Sequence, residues 1–254
     1  MKNIIFYSFY TTDEFYKNKS IELSKTMDGL GANYFFEPIE IEIGTTWPDI
    51  CRQKIRMLYN FYISQSDKKV IWIDIDCDLN YIPDFLSSFS GDIIGFQRGF
   101  SSPLRIGYHY KKRFWEPCLF GFNNTEKAKK FLEDALSSEI SFKGRATDDY
   151  FFEESWRKNS REMCFQIIPS LYCKLPGRDN ANTNIEPFFI FGASGNVKKY
   201  IDKVVQHKTP WINSPQLKKI SILENKLNNF PSKLKSKIKL AYSSSFNNNF
   251  QRYV

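Results

Sequence analysis

Residues 70–83 read VIWIDIDCDLNYIP, an apolar run that ends in three aspartates two residues apart, Asp74, Asp76 and Asp78. Val70 to Ile75 carry the continuous hydrophobicity and β-branching of a strand covered on both faces, so the segment predicts an inner strand of a parallel sheet. Ionised carboxylates at the end of such a strand are costly unless they are paired or hydrogen-bonded. If the strand continues through them, alternation sets Asp74 and Asp76 on one side, about 6.6 Å apart at Cα. A cluster of this kind either holds protons or holds a cation. An oxygen-rich ligand set with no histidine nearby suits Mg2+ or Mn2+, and those ions in turn suit a diphosphate-bearing substrate.

The surrounding pattern alternates strands with helices. Residues 3–10 predict a first strand and 16–31 a helix closed by Gly31. ANYFFEPIEI predicts a second strand, and WPDICRQKIRMLYNFYISQ a helix with Pro48 in its first turn and Ile50, Ile55, Leu58, Tyr59 and Tyr62 on one face. GDIIGFQ and FWEPCLFGFN follow as strands. The segment from Asn123 predicts a helix with Ala128, Phe131, Leu132, Ala135 and Leu136 inward, and ATDDYFFEESWRKN predicts another with its acids at the N-terminus. CFQIIPSLYC and PFFIFGAS predict the last strands. The expected fold class is therefore α/β, an open, mostly parallel sheet flanked by helices. Its ligand crevice lies beyond the carboxyl ends of the strands, where the aspartates fall.

Charge divides the chain. Its formal net charge is +8, and the stretch from Trp211 onward holds seven lysines and Arg252 against the single acid Glu224, so nearly all of that excess sits in the tail. Leu217, Ile220, Leu223, Leu227 and Phe230 form one helical stripe, and KLKSKIKL forms a second ringed by lysine. We expect a catalytic-size domain over residues 1–210 and a basic amphipathic helical extension over 211–254, able to meet a membrane surface or nucleic acid. The start MKNIIFYSFYTTDEF turns acidic too soon for a signal peptide, and nothing reaches the roughly 18 apolar residues of a membrane span. Five scattered cysteines without a C-x-x-C pair fit neither a disulfide framework nor a zinc site. The expected location is cytoplasmic, with the tail able to bring the protein to a membrane.

From Trp47 to Arg98 the chain resembles nucleotide-sugar-dependent glycosyltransferases of the GT-A fold. The resemblance rests on a helix carrying Lys54, the strand WIDID, Pro83 and the short strand DIIGF. It continues in CLFGFNNTEKAKKFL, TDDYFF and IIPSLYC, and spans roughly residues 3–200. It implies that Asp76 coordinates a divalent metal, Mn2+ or Mg2+, bridging the two phosphates of a nucleoside-diphosphate sugar, with a UDP-sugar favoured and a hexosyl group transferred. Asp74 would contact the ribose or share the metal, and Asp78 would be an extra ligand. Ser8, Tyr10 and Thr11, taken as the loop after the first strand, would hold the base, and Lys54 would lie at the donor. Asp148 and Asp149 match the acids that face the transferred sugar and the acceptor. One departure is clear: where such enzymes often supply a histidine ligand, this chain has IFGASGN, with Gly192 near the expected position. Of its two histidines, His109 and His207, His207 is the candidate substitute.

Two other classes fit parts of the pattern. A haloacid-dehalogenase-like, Mg2+-dependent phosphatase also ends a strand in Asp-x-Asp, but on its first core strand, and with Thr or Val where Asp78 stands. A non-catalytic module that grips polyanions or membranes through the tail would need none of the acids. A hybrid is a transferase whose basic tail recruits a polyanionic acceptor, such as a phosphate-bearing lipid or modified DNA.

Overall fold

The computed structural model describes residues 3–42, 44–65, 67–97, 115–144, 146–169, 172–174 and 185–192. Their order is β1 (Ile4–Thr11), α1 (Glu14–Gly29), β2 (Tyr34–Ile39), α2 (Trp47–Ser64), β3 (Lys69–Ile73), β4 (Asp78–Leu79), α3 (Asp84–Ser88), β5 (Ile93–Gln97), β6 (Trp115–Phe122), α4 (Glu126–Ser141), α5 (Asp148–Asn159), β7 (Phe165–Ile167), β8 (Cys173–Lys174) and β9 (Phe189–Ile190). The basic extension lies outside the described residues, as do His109 and His207. Among the described residues no helix is long and apolar enough to cross a membrane.

Six strands form the main sheet in the order β2-β1-β3-β6-β5-β7. β1 pairs in parallel with β2 and β3, and β5 with β7, while β6 runs against both of its neighbours, β3 and β5. The sheet is thus mostly parallel, as expected, with one reversed strand. Alternate side chains of β3 go to opposite faces. Ile71 and Ile73 join a cluster with Leu23 and Met27 of α1, whereas Val70 and Trp72 join one with Ile55 and Leu58 of α2, Phe131 and Leu132 of α4, and Phe151 and Phe152 of α5. Burial on both faces is why β3 reads as an unbroken apolar run.

Local signals set the helix ends. The Asp13 carboxylate accepts from the backbone N–H groups of Phe15 and Tyr16 at 3.1 and 3.2 Å and caps α1. At its other end Gly31 has a φ of 61°, Gly31 N–H donates to Asp28 C=O at 3.1 Å, and Ala32 N–H donates to Met27 C=O at 3.0 Å. This is the glycine-closed terminus that the sequence predicts. Thr46 and Asp49 form a reciprocal capping box ahead of α2, with Pro48 in the first turn. Glu139, on the same face of α4 as Ala128, Leu132 and Ala135, is 2% exposed. Arg52 and Arg56 of α2 hold it at 2.8 and 2.7 Å, and Arg52 also donates to the carbonyls of Glu139 and Phe142 at the end of α4. Those guanidinium groups tie α2 to α4.

Three expectations need correction. β3 stops at Ile73 and does not run on through the aspartates. Cys77 N–H donates to Asp74 C=O at 2.9 Å, closing a tight turn, after which β4 enters a second, three-stranded sheet ordered β4-β9-β8. Ile75, Cys77 and Leu79 are buried while Asp74, Asp76 and Asp78 are partly exposed, so an inside-outside alternation persists through a turn and imitates a longer strand. The second correction is that Ser8, Tyr10 and Thr11 do not form a loop, because β1 extends to Thr11. The third concerns Ser8 itself, which is fully buried with its hydroxyl on the Phe9 carbonyl, and so is closed to a ligand.

Candidate active site

The acids converge where β3 ends. Asp74 is the first residue beyond β3, and its N–H donates to Cys118 C=O of β6 at 2.8 Å. Its Oδ1 accepts from Lys54 Nζ at 2.8 Å and from Trp72 Nε1 at 2.7 Å. Oδ2 has no partner among the described residues, and the side chain is about a third exposed. One oxygen is therefore fixed by the fold and the other is available to a ligand. Asp76 follows at the partly exposed middle of the turn.

Lys54, on α2, joins the acids. Its ammonium also lies 2.6 Å from Asp148 Oδ2 at the start of α5, donates to Pro117 C=O at 3.1 Å, and sits 4.9 Å from the centre of the Trp72 ring. The ammonium thus donates to Asp74 Oδ1 and Pro117 C=O and pairs by charge with Asp148 Oδ2. Beside the expectation that Lys54 lies at the donor, the structure gives it a positioning role: it pairs with both Asp74 and Asp148. Burial pushes its pKa down, but Asp148 and then Asp74 more than offset this, so it stays charged.

Asp148 and Asp149 are 5% and 7% exposed, in the first turn of α5. The Thr147 hydroxyl donates to the Asp149 carboxylate. Burial pushes the Asp148 carboxyl up, Lys54 pulls it back, and Asp149 and Asp74 push it up again, leaving it at about 6. The folded protein then keeps this proton to higher pH than the unfolded chain, where an aspartate titrates near 3.8. The resulting stabilisation is complete below about pH 4 and is lost as pH rises to about 6. Urea unfolding in chelator should show wild-type stability falling relative to Asp148→Asn across that window, and parallel curves for the two proteins would refute the assignment.

Two neighbours escaped the sequence reading. Tyr16, in the first turn of α1, has its phenol pushed up by burial and then by Asp76, so it remains a proton donor beside that carboxylate. Its place just past the carboxyl end of β1 is the signal that could have found it. Cys51, one turn before Lys54, has its thiol pushed up by burial and by Asp148 and stays protonated.

Asp78 is placed elsewhere. It lies half-buried on β4, pushed up by burial, and the charges that act on it are Lys19 and Glu22 of α1. Thr11 is buried and its hydroxyl donates to the Asp13 carboxylate, so both serve the start of α1, while Tyr10 is partly exposed at the end of β1. Asp74 and Asp148 thus meet at the ammonium of Lys54, and Asp76 and Asp149 lie next to them along the chain. Within those residues no three His, Cys, Asp or Glu side chains form a complete cation cage. Magnesium-like ions are commonly held by one or two carboxylates together with substrate phosphates and water. Asp76 and Asp74 Oδ2 fit that partial set.

No protein-family model matches the chain, and no curated protein matches it in sequence. Solved structures do match. One is a glycosyltransferase involved in the glycosylation of the major capsid of PBCV-1, with a TM-score of 0.56 and 11% identity over 82% of this chain and 99% of that one. Another is the apo form of the glycosyltransferase GlyE of Streptococcus pneumoniae TIGR4, with a TM-score of 0.50 and 10% identity over 74% of this chain. The match spans about half of the GlyE structure, 54%. At such identities the likeness is one of architecture: the chain has a fold found in glycosyltransferases.

Proposed function

We propose that this protein is a GT-A-type glycosyltransferase that uses a divalent cation and a nucleoside-diphosphate sugar, a UDP-hexose by preference, to glycosylate an acceptor hydroxyl. The observation that carries the reading is the acidic turn after β3. It stands at the carboxyl end of the sheet, with Asp74 clamped through Oδ1 and Asp76 beside it, next to the acids of α5. The chemistry that a divalent cation at this turn would supply is neutralisation of charge on the departing diphosphate. Asp76 and Asp74 Oδ2 would hold it. Lys54 keeps Asp74 and Asp148 in fixed relation, which maintains the distance between the diphosphate end and the sugar end of the site. The acids of α5 would orient the sugar hydroxyls, or accept the acceptor's proton in an inverting reaction. The tail, if it meets a polyanionic acceptor, adds recruitment without chemistry.

The test needs no acceptor, because donor hydrolysis suffices. Purified protein is incubated with a panel of nucleotide sugars, with Mn2+ or with chelator, and nucleoside diphosphate release is measured. Metal-dependent release from one donor is the expected result. Absence of both release and calorimetric binding for every donor would overturn the reading.

A further inference from the structure

β9 pairs antiparallel with β4, with Asp78 opposite Ile190 and Leu79 opposite Phe189. Continued by two residues, that register sets Gly192 opposite Asp76. Opposed residues of an antiparallel pair share a face, with Cβ atoms about 4.5–5.5 Å apart, so a side chain at 192 would project beside that of Asp76. Here they would collide: a Cβ on Gly192 would lie within 3.0 Å of Asp76 Cγ and of both carboxylate oxygens. The backbone does not itself require glycine there. Among the described glycines only Gly31 and Gly44 have positive φ. What position 192 requires is the absence of a side chain.

We propose that Gly192 is a positioning residue whose bare α-carbon seats the Asp76 carboxylate for the cation, an inference that rests on the cation-dependent reading above. The backbone around Gly192 is tied down: its N–H donates to Cys77 Sγ at 3.2 Å, and Phe191 N–H donates to Lys174 C=O at 2.9 Å. The Asp76 carboxylate sits at the end of a rotatable side chain. A methyl group at 192 therefore displaces the carboxylate and leaves the three-stranded sheet in place. Magnesium-like ions demand near-ideal ligand geometry, so a ligand moved by a fraction of its bond length is a ligand lost.

The experiment is a Mn2+ titration of the full chain in the presence of UDP, followed by water-proton relaxation enhancement, which reports protein-bound Mn2+. It compares wild type, Gly192→Ala, Asp76→Ala and the double variant, with thermal melts of each. Gly192→Ala should weaken Mn2+ binding about 10–100-fold, the range for residues that orient a metal ligand, and should add nothing to Asp76→Ala. Equal Mn2+ affinity in Gly192→Ala and wild type would overturn the seat while leaving the cation reading intact. A wild type that binds no Mn2+ would overturn both. Should Gly192→Ala fail to fold, Asp76→Ala in the same chain makes room for the methyl group. Recovery of folded protein then supports the seat, and no recovery overturns it.

Discussion

Asp76→Ala is expected to abolish cation-dependent binding of the nucleotide sugar. Mn2+ affinity should fall at least about 100-fold, beyond what loss of an orienting neighbour costs, and nucleoside diphosphate release should fall to the level seen with chelator. Stability should change little, within about 0.5 kcal/mol, because the residue is partly exposed. Calorimetry with the donor identified from the panel, with and without Mn2+, separates binding from turnover. Full turnover in Asp76→Ala would sink the assignment of this turn as the donor site.

Lys54→Met should have the opposite signature, a large loss of stability. The Lys54 side chain is 8% exposed and holds Asp74 and the equally buried Asp148. Removing its ammonium leaves the buried Asp148 carboxylate uncompensated in a dry environment, which costs about 3–5 kcal/mol. For a chain of this length that corresponds to a fall in Tm on the order of 10 °C. Asp148 should then keep its proton at neutral pH, so Lys54→Met/Asp148→Asn should recover a good part of the loss, a non-additivity expected only of groups in contact. A Tm within about 2 °C of wild type for Lys54→Met would show that the ammonium does not hold the site together.

These two residues also mark how far the sequence could be read. Local features predicted correctly are those with a short-range physical cause: the helix closed at Gly31, the first-turn Pro48, the inward face of α4, and aspartates at the end of an apolar run. The end of β3 was misplaced because an inside-outside alternation from Ile73 to Leu79 satisfies a turn as well as it satisfies a strand. Lys54 was singled out, but not what it does, since its partners lie 20 and 94 positions away in the sequence and no periodicity encodes such pairings. The same holds for the two arginines of another helix that meet Glu139 on the inward face of α4, and for Gly192, whose meaning depends on the register between β4 and β9. The reversal of β6 was hidden for a related reason, as a strand covered on both faces reads alike in either direction.

That reversal bears on how such a scaffold can change over evolutionary time. β5 leaves the sheet on the crevice side, and β6 enters from the same side, with Gln97 paired to Trp115 at the root. A connection whose ends are already held together can be lengthened cheaply, since each doubling costs only about 0.6 kcal/mol in closure entropy. Insertions between these two strands therefore leave every strand in register while adding chain at the mouth of the acidic crevice. Under the proposed function, new acceptor preferences can be tried there without rebuilding the acidic turn beneath.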